Sequence, residues 1–260
     1  MKNQIRFATT LKVLAVFALL AALAVSPAGA GDKDEAKELL EQSLDAIGGE
    51  NAFKSWETML AKGELTVHWE GWGSPKAAAT RWVKRPDKMV LDQDFSANDH
   101  PFYFTYYYNA GDVWAIVNMG VRENPRYTKL MTRAMKNTHS VHYYLTECDT
   151  MWVVPEVPDD SLVTGSTVDR VGIVDKGDTL FVDLDKKTHI PVRKVEDGGD
   201  QHTIFEAWHK AHGDLMRPYR VTIYQGGAVA AEYRWETFEF DVPMADELFE
   251  EQRPEKNASN

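Results

Sequence analysis

Two histidine pairs are the first candidates for chemistry. His209 and His212 stand at H-x-x-H spacing, and His139 and His142 repeat it earlier in the chain. Zinc accepts imidazole nitrogens in a tetrahedral set, so a pair needs further ligands from elsewhere. On a strand an offset of three sends side chains to opposite faces, and His209 and His212 share an ion only if the chain turns between them. On a helix His139 and His142 share a face. No acidic residue or third histidine joins them at ligand spacing, and His142 falls on an apolar stripe, where a buried core histidine would stand. Cys148, the single cysteine, is a nucleophile only with a base beside it, which spacing does not supply. Asp92 and Asp94 share one strand face, as exposed carboxylates of an acidic chain do. The chain has no G-x-S-x-G elbow, no phosphate-cradling glycine loop and no H-E-x-x-H. The residues point away from an enzyme, and no metal or cofactor is implied. The alternatives to a binding protein are an envelope hydrolase using histidines or Cys148, and an interaction module that binds no lipid.

The chain opens with a leader. Lys2, Arg6 and Lys12 precede the apolar run VLAVFALLAALAV (13–25), and SPAGA ends in the A-x-A-like site Ala28-Gly29-Ala30. The run is 13 residues, short of the roughly 20 that span a bilayer, so residues 1–30 read as a secretory signal peptide and 31–260 as one mature domain. Cleavage takes the 29 basic residues to 26 against 40 acidic ones, a net charge of −14. Nucleic acid and anionic membranes are poor partners for such a chain. One cysteine precludes an intramolecular disulfide despite export, so packing must hold the fold. The expected location is the periplasm, soluble after cleavage.

The elements that would position a site are mostly strands. PFYFTYYYNAGDVWAIV (101–117) places six aromatics in the seven positions from Phe102 to Tyr108, then turns about Asn109-Ala110-Gly111. A half-solvated strand alternates apolar and polar side chains. This one is either covered on both faces or lines a cavity with an apolar occupant. Strand signals surround it in pairs: 64–70 with 79–85, then 88–95, and further hairpins turning at 175–178, 185–188 and 225–227. Sequential hairpins without intervening helices describe one large antiparallel meander.

Two helices interrupt the strands. Ala36, Leu39, Leu40, Ser43, Leu44 and Ile47 form an amphipathic stripe, with Asp32 and Glu35 imitating a capping box and Gly48-Gly49 at the end. A short apolar turn follows through Phe53 and Trp56. From Tyr127 through Leu130, Met131, Ala134, Met135, Thr138, Val141 and His142 to Leu145 the helical period returns, with methionines on the apolar side. Methionine adapts to irregular surfaces, which suits a lid, and spacing alone equally fits an ordinary core helix.

RWVKRPDKMVLD (81–92), followed by NAGDVWAIVN (109–118), resembles the paired signature of the periplasmic outer-membrane lipoprotein-sorting superfamily, the LolA/LolB-like carriers. The order helix, strands, mid-chain helix, strands and a closing P-x-x-x-x-L-F (Pro243 to Phe249) is similar over nearly the whole mature chain. The shifted Ala110-Gly111-Asp112 turn departs from the family's D-G form.

That resemblance implies an α+β, mainly β fold: an incomplete antiparallel β-barrel of about ten to eleven strands whose apolar concave face is covered by the N-terminal and mid-chain helices. It implies a non-catalytic carrier or chaperone of lipid or lipoprotein acyl chains, with inner- and outer-membrane envelope proteins as further partners, working as a monomer. Arg85, by its place in W-V-K-R-P, becomes the arginine that bonds to the lid backbone. Trp82, Phe102, Phe104, Tyr106, Trp114, Met131 and Met135 become the expected ligand and lid residues.

Overall fold

The computed structural model describes residues 33–251, apart from Trp72, His100 and Met119. The expected leader, Asp32 of the capping box and the polar tail beyond 251 lie outside the described residues. Helix α1 spans Lys33–Ala46 and buries Ala36, Leu40, Ser43 and Leu44, the stripe that its 3.6-residue spacing predicts. The apolar turn after it is a second helix, α2 (Gly49–Lys54), which buries Phe53 ahead of the equally buried Trp56.

Thirteen strands then make one antiparallel sheet: β1 (Thr58–Val67), β2 (Lys76–Lys84), β3 (Lys88–Asp94), β4 (Tyr103–Asn109), β5 (Asp112–Val117), β6 (Gly120–Arg122), β7 (Thr150–Val154), β8 (Val168–Asp175), β9 (Asp178–Asp185), β10 (Pro191–Glu196), β11 (Gln201–His212), β12 (Leu215–Gln225) and β13 (Ala228–Phe240). The spatial order is β6-β5-β4-β3-β2-β1-β13-β12-β11-β10-β9-β8-β7. This corrects the single sequential meander. Two meanders, β1–β6 and β7–β13, are sewn together where the first strand pairs with the last, and the sheet is not closed into a barrel. The strand count also exceeds expectation: β6 and β7 are short edge strands with little periodicity of their own, and the long β11 is not among the expected hairpins.

The seam is also a bend. Register shifts between Lys62 and Gly63, where β1 pairs β13. Bulges of this kind sharpen local twist. At Gly63 the backbone of β13 comes so close that a Cβ would sit 2.1 Å from the Arg234 carbonyl oxygen, so only glycine fits.

Helix α3 (Pro125–Glu147, 23 residues) connects β6 at one edge to β7 at the other. Asn124 caps it, its side chain accepting from the Arg126 amide at 2.9 Å. Met131, Met135, Thr138, Val141 and Tyr144 are buried, packing with α1 and with Met59, Leu91, Tyr106 and Trp235 of the sheet in the main core. Leu130, expected on the same stripe, is instead 39% exposed. None of the described helices is long and apolar enough to cross a membrane.

The outer face carries its own apolar layer. Val90, Tyr107, Trp114, Ile116 and Phe249 form a second cluster, flanked by Trp82, Met244 and Leu248 of the C-terminal segment. Tyr107 and Trp114 stack at 5.0 Å, and Trp114 Nε1 donates to the Glu251 carbonyl at 3.1 Å. The two aromatic faces of the 102–108 strand are thereby explained: Phe102, Phe104 and Tyr106 pack inward, Tyr107 outward under that segment. Further along the outer face, Asp183 accepts from Arg170 Nε and Arg193 Nε, both at 2.6 Å, and Arg193 reaches Asp160 at 2.5 Å. Asp183 and Arg193 are fully buried, so the loop bearing Asp160 is pinned by a desolvated ion network.

Candidate functional site

Beneath the N-terminal half of α3, between it and the inner face of β1–β3 and β11–β13, lies a cavity of about 650 Å³. Strand alternation builds its wall. On β12, Arg217, Val221 and Ile223 face inward, and on β13 Tyr233 and Trp235 do so, joined by Phe205 and Phe238. Across the cavity stand Arg126, Lys129, Leu130, Arg133, Ala134 and Thr138 of α3. The volume falls within the range of small-molecule and cofactor sites.

Two arginines dominate the polar part of this wall. Arg217 is 7% exposed. Its Nη1 donates to the Thr138 carbonyl at 2.6 Å, and its Nε and Nη2 have no partner among the described residues. The guanidinium lies 5.3 Å from the Phe53 ring and 5.5 Å from the Trp56 ring. Burial, with Arg81 and Arg85 as neighbouring charges, lowers its pKa to about 9. Arg81 sits on the inner face of β2 at 4.6 Å from the Trp235 ring, its buried Nε also unpartnered. Burial pushes its pKa down, partly opposed by Tyr233. Tyr233 Oη accepts from Gln93 Nε2 at 2.9 Å.

The residues singled out by the resemblance are placed in three groups. Arg85 Nη1 donates to the carbonyls of Phe53 at 2.6 Å and Trp56 at 3.1 Å, and its guanidinium lies 5.1 Å from the Trp56 ring. It therefore binds backbone, but that of the end of α2 and the turn after it rather than of α3. Phe53 in turn stacks on His142 of α3 at 5.6 Å, so the link to the covering helix is indirect. Phe102, Phe104 and Tyr106 pack edge to face and face to face with one another, with Phe95 and with Tyr127 of α3. They fill the inner side at the β3–β4 end instead of lining the cavity. Met131 and Met135 point into the core beside it. Trp82 and Trp114 lie on the outer face, in the layer under the C-terminal segment.

A wider groove of about 1070 Å³ flanks the other side of α3, bordered by Trp114, Phe181 and the β4–β5 and β8–β9 turns. Two ion pairs line it, Lys136 with Asp175 and Arg133 with Glu196 at 3.2 Å. It offers less to an apolar guest than the smaller cavity does.

The candidate catalytic groups are scattered. His209 packs against Tyr219 and His212 against Phe240. The side chain of His139 lies outside the described residues. Burial raises the Cys148 thiol, which keeps it protonated and a weak nucleophile. Among the described residues no three His, Cys, Asp or Glu side chains are grouped to hold a metal.

No family model matches the sequence, and no curated protein is similar to it. Solved structures are similar in fold. A domain assigned to outer-membrane lipoprotein sorting from Vibrio parahaemolyticus superposes with a TM-score of 0.58 at 12% identity, covering 84% of this chain and 97% of that one. A DUF1329 family protein from Desulfovibrio piger also gives 0.58, at 10% identity over 85% and 98%. A LolA superfamily protein from Nitrosomonas europaea gives 0.51, at 10% identity over 82% and 96%.

Proposed function

The fold is that of the LolA-like lipoprotein-sorting proteins, and from it we propose that this chain is an exported, non-catalytic carrier of lipid or of protein-bound acyl chains, held in the cavity under α3. The observation that carries the reading is that cavity of about 650 Å³, with Phe205, Val221, Ile223, Trp235 and Phe238 along its wall. Burying one methylene contributes roughly 0.8 kcal/mol, so about ten carbons give on the order of 8 kcal/mol, a micromolar grip. A grip of that size is reversible, as a shuttle between envelope membranes requires. The expected location is the periplasm, and the expected working form is a monomer.

Release requires α3 to move. Arg85 holds the end of α2, Phe53 of that helix stacks on His142, and Arg217 ties Thr138 to the floor. These contacts support a closed state that opens when cargo or a partner protein displaces the helix.

The test is purification without detergent, followed by solvent extraction and mass spectrometry. Lipid in stoichiometric amount, or micromolar binding of a fluorescent acyl probe after delipidation, is the expected result. Protein that carries no lipid and binds no such probe would overturn the reading.

A further inference from the structure

The polar end of the cavity points to the chemistry of the guest. In a chain with 40 acidic and 29 basic residues, the cavity wall carries Arg81, Arg126, Lys129, Arg133 and Arg217, and no Asp or Glu among the described residues that line it. Arg133 is matched by Glu196. Arg217 and Arg81 have no ion-pair partner among the described residues, and three of their buried N–H-bearing nitrogens have no acceptor. The neighbouring charges that act on Arg217 are other cations, Arg81 and Arg85. An uncompensated buried guanidinium is among the most costly features a core can hold. Faces of Phe53, Trp56 and Trp235 relieve a part of that cost without supplying an acceptor.

We propose that the cavity is built for an anionic amphiphile, whose carboxylate or phosphate-ester head seats against Arg217 and Arg81 while its hydrocarbon chain lies along Val221, Ile223, Phe205 and Phe238. The inference rests on the carrier reading and deepens it. An acid head group brings acceptor oxygens to the unpartnered nitrogens of both arginines, and the Tyr233 hydroxyl, which accepts from Gln93, keeps its own proton to donate. A neutral head would leave those nitrogens unpaired, which is how the site would reject it. Arg126, exposed on α3, adds positive charge at the rim, favouring entry of an anion into a protein whose net charge is negative.

The test compares ligands that share a chain and differ in head. Delipidated full-length protein is titrated with hexadecanoic acid, 1-palmitoyl lysophosphatidic acid and 1-hexadecanol, with acetate and inorganic phosphate as chain-free controls. At least one long-chain anion should bind tenfold or more tightly than the alcohol, and the ranking of the two anions identifies the head. In Arg81→Met and Arg217→Met that anion-to-alcohol ratio should fall to threefold or less. Because the readout is a ratio, loosening of the covering helix cancels, and retained alcohol binding shows that each variant is folded. Equal binding of acid and alcohol by the wild type, or a ratio unmoved in both variants, would overturn the anionic head and leave the carrier standing. Acetate or phosphate competing as well as the long-chain anions would also overturn it, by showing a plain anion site. Failure of every long-chain ligand, the alcohol included, would instead remove the carrier reading itself.

Discussion

Arg217 Nη1 donates to the carbonyl of Thr138 at 2.6 Å, joining the floor of the cavity to the middle of the helix that covers it. A bond from a charged donor is worth roughly 1.5–3 kcal/mol, enough to hold a helix whose exposed side is solvated. Arg217→Met should therefore speed amide exchange in α3 around Thr138 by about tenfold, read by hydrogen-exchange mass spectrometry. Exchange unchanged from wild type would mean that Met131 and Met135 hold the helix by packing alone.

Arg81 has the opposite balance in the empty protein. It makes a ring contact with Trp235 but leaves a buried Nε without acceptor. Replacing an unsatisfied buried group by a hydrocarbon of similar length removes its desolvation cost, about 1–3 kcal/mol, against the lost ring contact. The delipidated Arg81→Met protein should melt no lower than wild type. A clear drop in Tm would show that the arginine is structural.

Arg85→Leu removes the donor shared by the Phe53 and Trp56 carbonyls. The expected loss is about 2 kcal/mol of stability, visible as a lower denaturant midpoint at unchanged slope. On the carrier reading the same variant also releases a bound acyl probe faster, since release requires α3 to move and the lost contacts help to hold the closed state. Unchanged loading and release in stopped-flow measurements would remove that role.

His142 supplies a pH dependence. Burial lowers its pKa from the ordinary 6.5, with Arg85 and Lys54 adding to the effect and Glu50 and Glu147 opposing it. The fold thus favours the neutral ring stacked on Phe53. The contribution is fully present above pH 6.5 and is lost as pH falls through the lowered folded-state value. Stability measured from pH 7.5 to 5 should decline, and His142→Phe should flatten that decline. An identical slope in the variant would place the titration elsewhere.

Ile223→Trp should fill the cavity without touching its charges. Loss of acyl-probe affinity by tenfold or more, with an unchanged far-ultraviolet circular dichroism spectrum, is the expected outcome. Full binding would mean that the guest sits somewhere else, the wider groove beside Phe181 being the next place to look.

Local patterns made much of this architecture readable. The stripe of α1, the hairpin turn at Ala110-Gly111, where both residues have positive φ, and the helical period of α3 all encode elements whose contacts are near in sequence. The seam between β1 and β13 has no such local mark, because register such as Leu65 opposite Tyr233 is set by global folding. For the same reason Trp82 and Trp114 read as cavity residues: their cover, Met244–Phe249, arrives from the far end of the chain. The arginines of the cavity did leave a trace. Arg81 alternates with Ala77, Ala79 and Val83, and Arg217 with Leu215 and Val221, so each is a charge on the apolar face of its strand.

Helix α3 has one more effect, through its two points of attachment. A ring of strands is sealed only when its terminal strands hydrogen-bond to each other, and here those strands are β6 and β7. The chain joins them through 23 helical residues, a rod of about 34 Å, so the helix that roofs the cavity is also the one link between the two unpaired rims of the sheet.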